Sequence, residues 1–201
     1  MSYGGEQIIT PAGWPTTSYR GDEPDLVKLG RILPLRYQID ASEQMAPADT
    51  TVLTANTKKL TIPASTLVKG DRIKVKAWGK VTGQNGTDTI ATWLKIGGSS
   101  GVTLATVAAY DAATNDIHEL EAELWWEVVG AAATSKFHSK GKSWRTGGSD
   151  ARTHVVDDQS RTTLAALDIQ VFQQWGGNNA SNRFKLYELE AVVFRTRQAW
   201  G

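Results

Sequence analysis

Apolar and polar residues alternate strictly over long stretches of this chain, and that period of two dictates what it can fold into. Ile73, Val75, Ala77, Gly79 and Val81 share one parity, and Arg72, Lys74, Lys76, Trp78 and Lys80 the other. Successive side chains of a strand point to opposite faces, so such a run buries one face and solvates its reverse. Leu120, Ala122, Leu124, Trp126 and Val128 repeat the pattern against Glu119, Glu121, Glu123, Trp125 and Glu127. Further strands are expected over 51–62, 90–96, 102–108, 135–144, 153–156, 164–173 and 183–196, about nine in all, separated by turn residues such as Gly83 to Asp88 and Gly97-Gly98.

Five of the six prolines (Pro11, Pro15, Pro24, Pro34, Pro47) precede residue 48. Proline fixes φ and removes a backbone donor, so residues 1–47 are expected to form an extended arm, with at most a short helical piece near Asp22. The arm is too apolar for a solvated linker. Trp14, Leu29, Ile32, Leu33 and Tyr37 are its expected anchors on a partner. No helical period is sustained after the arm, which excludes a parallel βαβ sheet, and no repeat of fixed period points to a propeller or solenoid. The expectation is an all-β chain: an extended Pro-rich arm over 1–47, then an antiparallel β-sandwich of jelly-roll type over 48–201, with a general Greek-key sandwich as the fallback.

Composition narrows the function. Lys plus Arg number 22 against 21 Asp plus Glu, a net charge of +1, so the basic surplus of a nucleic-acid binder is missing. At 40% hydrophobic residues with 8 Trp, the chain is too apolar for intrinsic disorder. Without cysteine it has no disulfides, thiol nucleophiles or thiolate metal sites. No apolar run is long enough to span a bilayer, and the first ten residues lack the features of a signal peptide, so synthesis in a cytosol is expected.

The residues that could carry chemistry do not assemble into a known motif. His118, His138 and His154 lack two-histidine metal spacing, and no nucleophile elbow, Walker loop or dinucleotide fingerprint occurs. Asp150, Asp157 and Asp158, with Ser149 and Ser160, depart from the EF-hand pattern and read as a solvated loop. Glu188 and Glu190 share a strand face and read as a polar surface with Arg195 and Arg197 as charge partners, rather than as a glycosidase pair. No catalytic residue, cofactor or metal is expected, and the chain is not expected to be an enzyme.

Two strands carry complementary charge. Arg72, Lys74, Lys76 and Lys80 form a basic ladder interrupted by Trp78, and Glu119, Glu121, Glu123 and Glu127 an acidic one interrupted by Trp125. They either face each other as neighbours or dock one copy of the chain on the next, which makes Arg72, Lys74, Lys76, Trp78, Glu119, Glu121, Glu123 and Trp125 subunit-interface candidates. Lys136, Lys140, Lys142 and Arg145, with Phe137, His138 and Trp144, read as an exposed hairpin with a Lys-rich edge. Trp78, Trp93, Trp144 and Trp175 would be the platforms of a glycan binder.

Leu60 to Ala64, then Gly70, Asp71, Ile73 and Val75, resemble the opening strands of jelly-roll modules in tailed-bacteriophage virion proteins. Asn85 to Thr89 leading to Leu94, Ile96, Gly97 and Gly98 is similar to their next hairpin, and Phe184, Leu186, Tyr187, Glu188 and Val192 to their last strand. The resemblance spans residues 50–196, and the layout is most similar to head decoration (cement) proteins. It implies a trimeric virion component, made in the host bacterial cytoplasm, that binds the major capsid protein or another virion protein on the outside of the head. It implies no nucleic-acid or membrane partner. Tail-fibre or baseplate modules that bind a receptor or glycan are the alternative.

Overall fold

The computed structural model describes residues 35–45, 53–131, 133–148 and 152–194. The alternating runs become strands: β1 Leu35–Met45, β2 Thr54–Ala55, β3 Leu60–Ile62, β4 Arg72–Gly83, β5 Thr89–Ile96, β6 Val102–Asp111, β7 Ile117–Val128, β8 Lys136–Arg145, β9 Arg152–Gln159, β10 Leu167–Trp175 and β11 Arg183–Phe194. No helix occurs among the described residues. The stretch expected as one strand over 51–62 is split in two at Asn56. Its buried side chain accepts the Val171 amide at 2.8 Å and donates to the Lys58 carbonyl, so the residue turns the chain where a continued ladder would run straight.

Every strand pairing is antiparallel. One sheet runs β1-β11-β4-β7-β8-β9, and the other β2-β10-β5-β6 with β3 also on β10. Without β8 and β9 the chain leaves β1-β11-β4-β7 over β2-β10-β5-β6, which is the jelly-roll order, so the protein is a jelly-roll sandwich with one sheet widened by two strands. Ile73, Val75, Ala77 and Val81 face inward from β4, and Ile90, Leu94 and Ile96 from β5, as their parity requires. Trp126, Phe137, Trp175 and Phe184 are the bulkiest aromatics of this core, with Trp126 and Phe137 stacked at 4.9 Å.

Two expectations are corrected. The boundary placed after residue 47 moves, because Leu35–Met45 pairs with β11 from Leu35↔Val193 to Met45↔Phe184. Pro34 and Pro47 bracket this segment without entering it, so it keeps its amide donors and extends the sheet at an edge. Tyr37 therefore lies in β1 opposite Ala191, whereas Trp14, Leu29, Ile32 and Leu33 lie outside the described residues. Strand β8 is not an edge either, since β7 and β9 flank it. Beyond Phe137 its inward residues, Ser139, Gly141 and Ser143, are small, and β6 closes over them: Ser143 Oγ donates to the Thr106 carbonyl at 2.5 Å, and a Cβ on Gly141 would collide with the Leu104 carbonyl oxygen.

Candidate functional site

The outer face of the six-stranded sheet collects most of the residues singled out from the sequence. Register sets them in rows. Lys74 pairs with Glu123 and Glu123 with Lys140; one row on, Lys76 pairs with Glu121 and Glu121 with Lys142. Glu190 of β11 stands opposite Lys76. The basic and acidic ladders are therefore neighbours within one chain, the first of the two arrangements the sequence allowed. Lys142 Nζ reaches Glu121 at 2.8 Å, and this hydrogen bond and charge raise the Lys142 pKa. Arg72 lies 3.9 Å from Glu123. Exposed pairs of this kind contribute little stability each, but they fix the register and present alternating charge to solvent.

Aromatic rows bound the charged ones. On one side Trp78 pairs with Glu119 and Glu119 with Trp144; on the other Arg72 pairs with Trp125 and Trp125 with His138. A register shift in β11 between Leu186 and Glu188 turns Tyr187 and Glu188 outward in succession. Tyr187 stacks on Trp78 at 4.6 Å, and Trp78 Nε1 donates to Glu188 Oε2 at 2.9 Å. Glu188 is thus committed to an indole. An open groove of about 630 Å³ runs along Lys74, Lys76, Glu121, Glu123, Lys140 and Lys142, and a neighbouring one of about 340 Å³ along Glu119, Glu121, Lys142, Ser143 and Trp144. Of the four Trp considered as platforms, Trp144 is exposed, Trp78 and Trp93 are half-buried, and Trp175 belongs to the core.

The histidines separate by environment. His118 is fully buried, with Thr92 Oγ1 3.0 Å from Nδ1 and the Tyr110 hydroxyl 2.7 Å from Nε2. Burial, with the Arg145 charge adding to it, pushes its pKa down to about 3, so the ring is neutral. Burial and Asp116 push the Tyr110 phenol up. This polar cluster supports the core, and only Tyr110 of it reaches a small groove beside Ser143, Trp144 and Arg145. His154 lies in β9 opposite Gly141.

His138 lies on the outer face, its ring stacked on Trp125 at 5.5 Å. Its Nε2 is 3.3 Å from Glu127 and its Nδ1 3.4 Å from Asp157. Asp157 and Asp158 were read as loop residues, but both belong to β9. Between Phe137↔Gln159 and Ser139↔Val156, β9 spends one residue more than β8, and Asp158 has a φ of +51°. That bulge brings two consecutive carboxylates beside one imidazole. Asp150 lies outside the described residues. Sequence reasoning missed this convergence, because Glu127, His138 and Asp158 come from three strands whose register only the fold supplies.

No protein-family model matches the chain, and no curated protein matches it. Among solved structures, a seed lectin of Lotus tetragonolobus is similar at 9% identity and a TM-score of 0.42, covering 82% of this chain and 94% of the lectin. A particle of infectious bursal disease virus (IBDV) matches at 12% identity and TM-score 0.38, covering 81% of this chain and 31% of the viral one. A CBM2 module of the evolved Dit of Lactobacillus casei BL23 phage J-1 matches at 11% identity and TM-score 0.33, covering 71% and 70%. The jelly-roll assignment rests on the strand order itself.

Proposed function

We propose that the chain is a structural protein of a phage particle, a decoration (cement) protein that binds the outer surface of the head. The observation that carries this reading is the widened jelly-roll sheet, whose outer face offers open rows of alternating charge bounded by aromatics. A broad open face suits a protein partner, whereas a small substrate calls for an enclosed, mostly apolar pocket. In this reading the chain is not an enzyme. Its partner is the major capsid protein or another virion protein, and it assembles as a homotrimer. The apolar residues of the N-terminal segment, Trp14, Leu29, Ile32 and Leu33, with Tyr37, provide the attachment, because each apolar side chain buried is worth about 1.5–3 kcal/mol and a few can dominate an interface.

Deletion of residues 1–34 tests the proposal, since it stops short of β1 and leaves the sandwich its edge strand. The shortened protein is expected to keep a β-rich circular dichroism spectrum and a trimer mass by sedimentation, and to lose attachment to heads that lack it. Undiminished attachment overturns the decoration role.

One observation favours a second reading, a receptor- or glycan-binding module of a tail fibre or baseplate. Exposed Trp144 lines the smaller groove beside Glu119, Glu121 and Ser143, a stacking surface next to hydrogen-bonding groups. Glycan-array binding that Trp144→Ala removes would support it.

A further inference from the structure

We propose that Glu127, His138 and Asp158 bind a divalent first-row transition metal ion, with Zn²⁺ the best-matched occupant. One ligand atom from each, a ring nitrogen and two carboxylate oxygens, lies within 4.8 Å of the other two. Donors bound about 2.0–2.2 Å from one tetrahedral zinc are about 3.4 Å apart. Nε2 of His138 and Oε2 of Glu127 already meet that spacing at 3.3 Å. Asp158 is exposed on a short side chain, so a change of rotamer closes the remainder.

The surroundings of His138 have the form that ligating histidines take. Such a ring usually donates its other N–H to a carboxylate, which fixes the tautomer and aims the free lone pair at the metal. Asp157 stands at Nδ1, 3.4 Å away, while Nε2 faces Glu127. Trp125, stacked on the imidazole, limits its rotation. Three carboxylates around one imidazole also leave an excess of negative charge, and the Lys136 ammonium, 3.7 Å from Asp158, offsets part of it. An incoming metal ion takes over that role. One nitrogen and two oxygens favour zinc over Ca²⁺ or Mg²⁺, which prefer all-oxygen shells, and the exposed side of the site leaves the remaining positions to water.

Titration calorimetry of the full chain with ZnCl₂ at neutral pH tests the assignment. One ion per chain is expected, with no comparable heat from MgCl₂. His138→Ala and Asp158→Asn should each weaken binding at least about tenfold, and Asp157→Asn about tenfold through loss of ring orientation alone. Lys136→Ala should tighten binding, because it removes the competing cation. Ring ¹⁵N shifts of His138 on adding zinc give a readout independent of affinity. Each substitution lies on the solvent side of the sheet, and an unchanged circular dichroism spectrum confirms folding. Absence of zinc binding at millimolar metal overturns the proposal, and so does undiminished binding by His138→Ala. His154→Ala, by contrast, should leave affinity unchanged; a loss there makes His154 the ligating histidine and overturns the assignment.

Discussion

The Tyr110 hydroxyl and His118 Nε2 lie 2.7 Å apart, and Arg145 sits over the Tyr110 ring at 3.8 Å. Burial of His118, with the Arg145 charge beside it, disfavours a charged imidazole at this position, which has a consequence for acid stability. The His118 pKa is about 3 in the folded chain against an ordinary 6.5, so between these values the unfolded state holds the extra proton. Stability is then complete above about pH 6.5 and falls on acidification, by at most about 1.4 kcal/mol per pH unit. Thermal melts from pH 7 to pH 4 should show a drop in Tm, and His118→Gln should flatten that slope while lowering stability at pH 7.

Gly141 is expected to tolerate no side chain. Alanine there would force β8 away from the Leu104 carbonyl of β6, and overpacking of this kind costs about 1–3 kcal/mol. Urea denaturation of Gly141→Ala should show the loss. Gly86→Asn, at an open turn with a φ of +51° that asparagine tolerates, should not.

Adjacent tryptophans on β7 should behave oppositely. Trp126 is 1% exposed and Trp125 38%. Trp126→Ala removes a core aromatic and should cost about 3–5 kcal/mol, whereas Trp125→Ala should cost under about 1 kcal/mol, both read from denaturant midpoints. Trp126→Phe should be milder than its volume alone implies, because the indole N–H it removes is buried with no hydrogen-bond partner among the described residues.

Reversal of one rung of the charged face should show its register role. Lys142→Glu places two carboxylates opposite each other at Glu121 and should lower Tm at low salt. Combining it with Glu121→Lys should restore only part of the loss, because a lysine at 121 then meets Lys76 on its other side. Half-molar salt should shrink both effects, since screening at that strength acts within a few ångströms.

Where alternation was strict, the fold was legible. The inward parity of Ile73 to Val81 and of Leu120 to Trp126 is the parity of burial, and the opposed charge of β4 and β7 already implied that they could be neighbours. Legibility ended where one residue departs from the period. Asn56 breaks a strand by bonding through its side chain, and nothing in its neighbours announces that. The strand in 35–45 was hidden between prolines that turn out to flank it. At Asp158 a single extra residue reverses which side chains share a face, so a pair that looks like loop charge becomes part of a three-strand cluster. The small inward residues of β8 were visible, but their purpose depends on β6, which reaches them only through the closure of the two sheets.

The bulge in β9 also bears on what the sheet can join. Strand β9 ends the row, and an uninterrupted border strand is a template on which another polypeptide can lay down hydrogen bonds and begin a fibre. At Asp158 that border twists out of line and carries two successive negative charges, so an approaching strand would lose its ladder and meet repulsion at the same point. The departure from regular geometry that gathers carboxylates around His138 thereby also acts as a guard against uncontrolled polymerisation, an advantage for any chain that must accumulate to high local concentration without sticking to itself.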